Sequence, residues 1–427
     1  MNKTFKVVFN KVRGTLMVVN EITSSIQSKG TKTVLAAATV TALLGSQSVF
    51  AQLPAWVDAP NAPSDNQIVF EVTGANTQEA QQSNLDQGKT LWVVAKDATS
   101  RATGLWSPTD GVTNAGTMYV TGETSWKTHG IGGFGEVVND GTIYAKKGYG
   151  MYVGQSAHDK TATLTNQGTI YVDDEGVGIE LGGAGVNGGT QASAINSGTI
   201  ELGTKTGGFL IGVLVKGEDG KILKDQSFTN EGTINAAANQ AISVDYADGT
   251  TIVNKGTITG NIEIGTNATG TKITLEQGID GNITGEADVT IAGNVTNKAQ
   301  KAIKLVKNGA LAGKLVVNAG ASLTNEQGGA LVADQAIVDG TLTTSISQRQ
   351  YVVRETTVNE TGVLNFTEYN SKSDLTSEVK DQLLISGQKA QDAQAAIPAV
   401  VNLKGGQLQV AGSAVQKLKL GGDDNGN

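Results

Sequence analysis

The feature that most constrains this chain is a short motif that keeps returning. Asn-x-Gly-Thr-(Ile/Met) starts at Asn114, Asn139, Asn166, Asn196, Asn230 and Asn254. Weaker copies start at Asn318, Asp339 and Asn359. Self-similarity at such a period marks stacked units, none of which can bury its apolar face alone. Each unit holds more than its motif. After Asn139 an alternating stretch (Ile143, Ala145) meets a glycine turn, then a second (Met151, Val153), then a third (Ala162, Leu164) before Asn166. Three short period-2 strands per unit make one turn of a β-helix. The expected fold is all-β, a right-handed parallel β-helix. Its array fills residues 110–365, with roughly ten or eleven coils stacked over about 50 Å.

The motif supplies both corner and core. Asn tolerates a left-handed corner, and the glycine two places on is expected at positive φ. Asn at one corner of successive coils could form an amide ladder along the stack. The Ile is expected to point inward onto its equivalents. A buried Ile contributes about 1.5–3 kcal/mol, against about 1 kcal/mol net for a corner hydrogen bond. The aliphatic column therefore dominates stability and the Asn-Gly corner sets the register.

Composition agrees. Glycine takes 56 of 427 positions and proline only 5, which argues against collagen and most disordered tails. Aromatics are sparse, with 8 Phe, 8 Tyr and 4 Trp, so the narrow coil interior is expected to be aliphatic. There is no cysteine, which excludes disulfide scaffolds and thiolate metal sites. The two histidines, His129 and His158, are expected in exposed loops. Net charge is −8 overall, but residues 1–51 hold six basic groups and one acidic. The remainder is a strongly acidic body, unsuited to nucleic acid or an anionic membrane.

The basic end carries an address. Val34–Leu44 is an apolar run of 11 residues, too short to span a bilayer, preceded by Lys29 and Lys32. Val49-Phe50-Ala51 comes next as a cleavage site, so Gln52 is expected to begin the mature chain. The stretch ahead of this run is longer than an ordinary signal peptide needs. Its residues Met1-Asn2-Lys3, Phe5-Lys6-Val7, Phe9-Asn10-Lys11, Arg13-Gly14 and Val18-Val19-Asn20-Glu21 closely resemble the extended signal peptide of type V secretion proteins. Many members carry Trp where this chain has Phe9. The resemblance implies three export partners: the inner-membrane translocation machinery, signal peptidase and an outer-membrane translocator barrel.

The motif array behind such a signal resembles the passenger region of classical autotransporters, many of them adhesin-like. This second resemblance implies a cell-surface or extracellular scaffold that binds an unknown receptor or glycan, with no cofactor. A translocator barrel is not expected within this chain, because after Tyr369 there is no Phe, Tyr or Trp to form aromatic girdles. Truncation is the preferred explanation, over export through a separate partner.

Two regions differ from the array. Residues 52–109 lack the motif and carry Trp56, Trp92 and Trp106; they are expected to form an N-terminal cap and the first irregular coils. Within 366–427, a helical insertion is expected over 373–397, where Leu375, Val379, Leu383 and Leu384 share a face, before final coils and a polar tail.

The rival class is a carbohydrate-active β-helix enzyme, a lyase or hydrolase, which needs clustered carboxylates with Arg or Lys. Its candidates are Asp173-Asp174-Glu175, read as a solvated turn, and Arg349 and Arg354 near Asp334 and Asp339. No catalytic or metal residue is assigned.

Overall fold

The computed structural model describes residues 5–10, 15–20, 53–74, 77–79, 84–107, 111–123, 127–133, 135–153, 162–182, 191–204, 209–345, 351–367 and 400–410. The chain divides into two units, Met1–Val49 and Phe50–Asn427. In the first, Phe5–Asn10 and Thr15–Asn20 form an antiparallel hairpin with Phe5 opposite Asn20. The second unit is built of strands and turns, with no α-helix among its described residues. The helix expected over 373–397 lies outside the described residues, as do Ala51, Gln52 and His158.

The second unit is a parallel β-helix. One coil runs through Thr142–Ala145, Tyr149–Val153 and Ala162–Asn166. Each strand pairs in parallel with its counterpart in the next coil: Thr169–Val172, Val177–Gly182 and Ala192–Asn196. Stacking makes three faces. The first runs from Gln67–Val72 to Ile279–Asp280, and a separate five-stranded ladder from Asn294–Asn297 to Gln407–Val410 continues after it. The second starts at Thr77–Glu79 and ends in Tyr351–Val358. The third runs from Asn84–Leu85 to Val400–Leu403. Its 13 rungs, at a strand spacing of about 4.8 Å, extend to about 60 Å.

The motif residues stand in file. Leu91, Met118, Ile143, Ile170, Ile200, Ile234 and Ile258 are successive register partners, all buried. The second face adds Leu105, Ile131, Met151, Ile179, Val213, Ile242 and Ile262. Pairing begins at Gln67, inside the segment expected to hold the cap and first coils. That early coil has no motif: Leu85 occupies the position of Asn114.

The glycines of the motif do not act as expected. None of Gly116, Gly141, Gly168, Gly198, Gly232 and Gly256 has positive φ, and neither does any of the motif asparagines. The Asn instead closes a strand in extended conformation. The glycine is required by space: a Cβ on Gly168 would overlap the carbonyl oxygen of Gly141 one coil earlier, and Gly198 meets Gly168 in the same way. The turn is held by backbone bonds that recur in each coil, such as Gly168 N–H to Asn139 O and Thr169 N–H to Gly141 O, at 2.8 and 2.9 Å.

A second glycine file crosses the middle of the second face. Gly104, Gly130, Gly150, Gly178 and Gly212 each lie one residue before the large aliphatic residue of that column. A Cβ on Gly150 would stand 2.7 Å from Gly178 O and 3.1 Å from Ile170 Cγ2. The coil is too narrow there for a methyl group as well as the isoleucine file of the first face.

Candidate functional site

The six motif asparagines meet inside the stack as one file of fully buried amides. Each Nδ2 donates to the Oδ1 of the next coil. The distances are 2.7 Å for Asn114 to Asn139, Asn139 to Asn166 and Asn166 to Asn196, then 2.8 Å to Asn230 and 2.9 Å to Asn254. Leucine bounds the ladder at both ends, Leu85 before Asn114 and Leu275 after Asn254. These residues are structural, because no ligand reaches a fully buried amide. A shorter buried ladder, Asn297 to Asn325 to Thr344, was not anticipated. Its signal precedes the asparagine: Val295-Thr-Asn and Leu323-Thr-Asn match Leu164-Thr-Asn and Phe228-Thr-Asn.

Function must therefore lie on the outside, where the faces differ. On the first face, alternation turns outward the residue after each core isoleucine. Trp92, Tyr119, Tyr144 and Tyr171 stack there, with centroids 5.4, 4.7 and 4.9 Å apart. Residues just after the expected cleavage site pack on this column. Trp56 meets Tyr119 edge-on at 5.3 Å, and Trp92 Nε1–H donates to Val57 O at 3.0 Å.

The outer side of the second face holds titratable groups wholly or partly withdrawn from water, Glu180 buried and His129 half-buried. His129, expected in an exposed loop, sits within strand Thr128–Gly133 and stacks on Tyr152 at 3.9 Å. Withdrawal from water, aided by the Arg101 charge, pushes its pKa down to about 3. Burial pushes Glu180 up to about 8, only partly opposed by Lys216. Both groups are neutral near pH 7. Burial also raises the Tyr149 phenol, beside Glu180.

The outer side of the third face is uncharged along one file. Thr113, Val138, Thr165, Ile195, Thr229, Val253, Thr274, Thr290, Val316, Ile337 and Thr357 are successive register partners. Every one is half-buried and β-branched. Such side chains keep few rotamers, so the strip is stiff.

Of the residues considered for an enzyme, the structure brings Arg354 and Asp334 together and leaves Asp173 and Asp174 apart from them in a turn. Arg354 grips Asp334 by two bonds of 2.5 and 2.8 Å, and Asp339 accepts from Asn359 at 2.8 Å. That grip holds the Asp334 carboxyl below its usual range. Asp173 and Asp174 form a turn, Asp174 at φ 56° with Lys147 3.9 Å away. Arg349 lies outside the described residues. Among the described residues no cluster of three or more acidic, histidine or cysteine side chains could hold a metal ion.

The decisive comparison concerns the other unit. Residues 1–49 match the Extended Signal Peptide of Type V secretion system. The chain is a type V secreted protein. It is exported by a Sec-type route with processing of its signal peptide, to the cell surface or the extracellular space. The long parallel stack is consistent with the passenger part of such a protein. No curated protein and no solved structure matches the chain.

Proposed function

We propose that this type V secreted protein is an adhesive scaffold, a rod that holds binding surfaces outside the cell. The observation that carries the reading is the stiff, uncharged strip on the third face. Ordering it against another surface costs little side-chain entropy. Its chemistry suits contact with a host or neighbouring-cell surface through a receptor or glycan. Delivery uses an outer-membrane translocator barrel. The rival reading, a carbohydrate-active enzyme, draws on the same fold.

Beads coated with the chain from Gln52 onward test both. The scaffold reading expects the beads to adhere to cells or matrix. It also expects adhesion to fall when Thr165, Ile195 and Thr229 are replaced together by lysine. Catalytic depolymerisation of a polysaccharide panel with Ca²⁺ present would favour the enzyme and overturn the scaffold.

A further inference from the structure

The corner between the first and second faces shortens midway along the rod. The chain spends 12 residues between Ile200 and Val213, 7 between Ile234 and Ile242, and 3 between Ile258 and Ile262. The change is absorbed at Ala237 (φ 51°), Gly260 (φ 123°) and a break in register between Asn235 and Gln240. Successive coils therefore retreat, and the outer surface steps down. An open cavity of about 480 Å³ lies on that step. Ligand sites commonly span about 300–1,000 Å³.

Its lining changes character across three rungs. Ile211 and Leu214 form an apolar floor at one end, beside Phe209, which is 41% exposed. One rung on stand Gln240 and Ser243, and one further Asn261 and Glu263, in the same two files. Several of these polar side chains are already held. Gln240 Nε2 donates to Glu263, Asn239 Nδ2 donates to Gly203 O at 3.1 Å, and Asn261 Oδ1 accepts from Asn282. They therefore present hydrogen-bonding groups without first having to be ordered. Lys216 and Asp245 complete the rim.

We propose that this step is a glycan-binding subsite, taking a sugar that is neutral or cationic. The proposal rests on the adhesive reading and names its ligand class. A pyranose has one apolar C–H face and a belt of hydroxyls that both donate and accept. The exposed Phe209 ring matches the first, and the amides, hydroxyl and carboxylate of Gln240, Ser243, Asn261 and Glu263 match the second. Two carboxylates against one ammonium disfavour phosphorylated or sulfated ligands. The polar half disfavours a lipid chain.

The chain from Gln52 onward is titrated with fluorescently labelled oligosaccharides ending in a neutral hexose, an amino sugar or a uronic acid. Binding is expected for the first or second class and not the third. Phe209→Ala should weaken it by about tenfold, since a stacked ring contributes on that scale. Ser243→Arg should block the cavity, and Lys255→Ala, in an exposed turn outside both the cavity and the third-face strip, should leave binding unchanged. Circular dichroism confirms that each variant is folded. The proposal is overturned if no oligosaccharide binds, if only uronic acids bind, or if Phe209→Ala and Ser243→Arg both bind normally. Cell adhesion by the same variants separates the two readings. Adhesion that survives Ser243→Arg removes the subsite and keeps the scaffold, whereas no adhesion by the unaltered chain removes the scaffold.

Discussion

At the scale of single residues, burial sets two titrations against each other. Between pH 4.5, the ordinary Glu value, and about 8, native Glu180 keeps a proton that the unfolded chain has released. Raising pH through that window therefore erodes stability. Between about 3 and the ordinary His value of 6.5, the unfolded chain binds a proton that native His129 refuses, so lowering pH erodes stability there. The two slopes cancel between roughly pH 4.5 and 6.5, leaving a plateau that falls on both sides. Glu180→Gln keeps the shape and removes the alkaline slope, on the order of a few kcal/mol by pH 8. Urea midpoints at about pH 5.5 and 8 check this: the unaltered chain should lose stability, whereas the variant should gain slightly, because the His129 slope below pH 6.5 is then unopposed. An equal loss in both would rule out Glu180 as the cause. Neither titration was legible in the sequence. His129 lies in Trp-Lys-Thr-His-Gly-Ile-Gly-Gly, whose glycines read as a turn, yet Gly130 serves close packing inside a strand.

At the scale of the element, the Asn ladder makes its members unequal. Asn196 lies mid-file, accepting from Asn166 and donating to Asn230. Asn196→Ala strands a buried donor and a buried acceptor and opens a cavity, with an expected loss of about 2–4 kcal/mol. Asn254 ends the file beside Leu275, and Asn230 Nδ2 also reaches Thr257 O at 3.2 Å. Asn254→Leu gives up the bond from Asn230 and its own bond to Gln277 O at 3.0 Å, and should therefore cost less than the mid-file change, about 1–2 kcal/mol. Denaturation midpoints of the two variants check the contrast; equal losses would mean that the amides act singly rather than as a file. The ladder itself was readable, because a motif repeated once per coil puts like residues at one corner. The conformation was not: the glycine's role depends on the coil beneath it, which no single motif copy contains.

At the scale of the whole molecule, each coil contacts chiefly its neighbours, so coils are replaceable units. Deleting Asn139–Thr165 removes one full period and brings Asn114 next to Asn166 in the file. The shortened chain is expected to fold, with an unchanged β-type circular dichroism spectrum and a rod shorter by about one rung of 4.8 Å. Loss of cooperative unfolding would show that the coils are not exchangeable. The export signal is independent of this. It occupies a separate unit and addresses the chain whatever the rod presents.

The sequence alone determined the export route, the strand period, the aliphatic column and the file of asparagines. All are local patterns repeated at intervals, and repetition makes a local pattern global. Tertiary structure alone decided what faces outward together. The stacked rings of Trp92, Tyr119, Tyr144 and Tyr171 come from four coils, and the neutral strip of the third face from eleven. The step at Phe209 arises from unequal corner lengths. Such surfaces depend on how far each coil's corners travel before the strands pair again, and that distance is settled only when the coils stack.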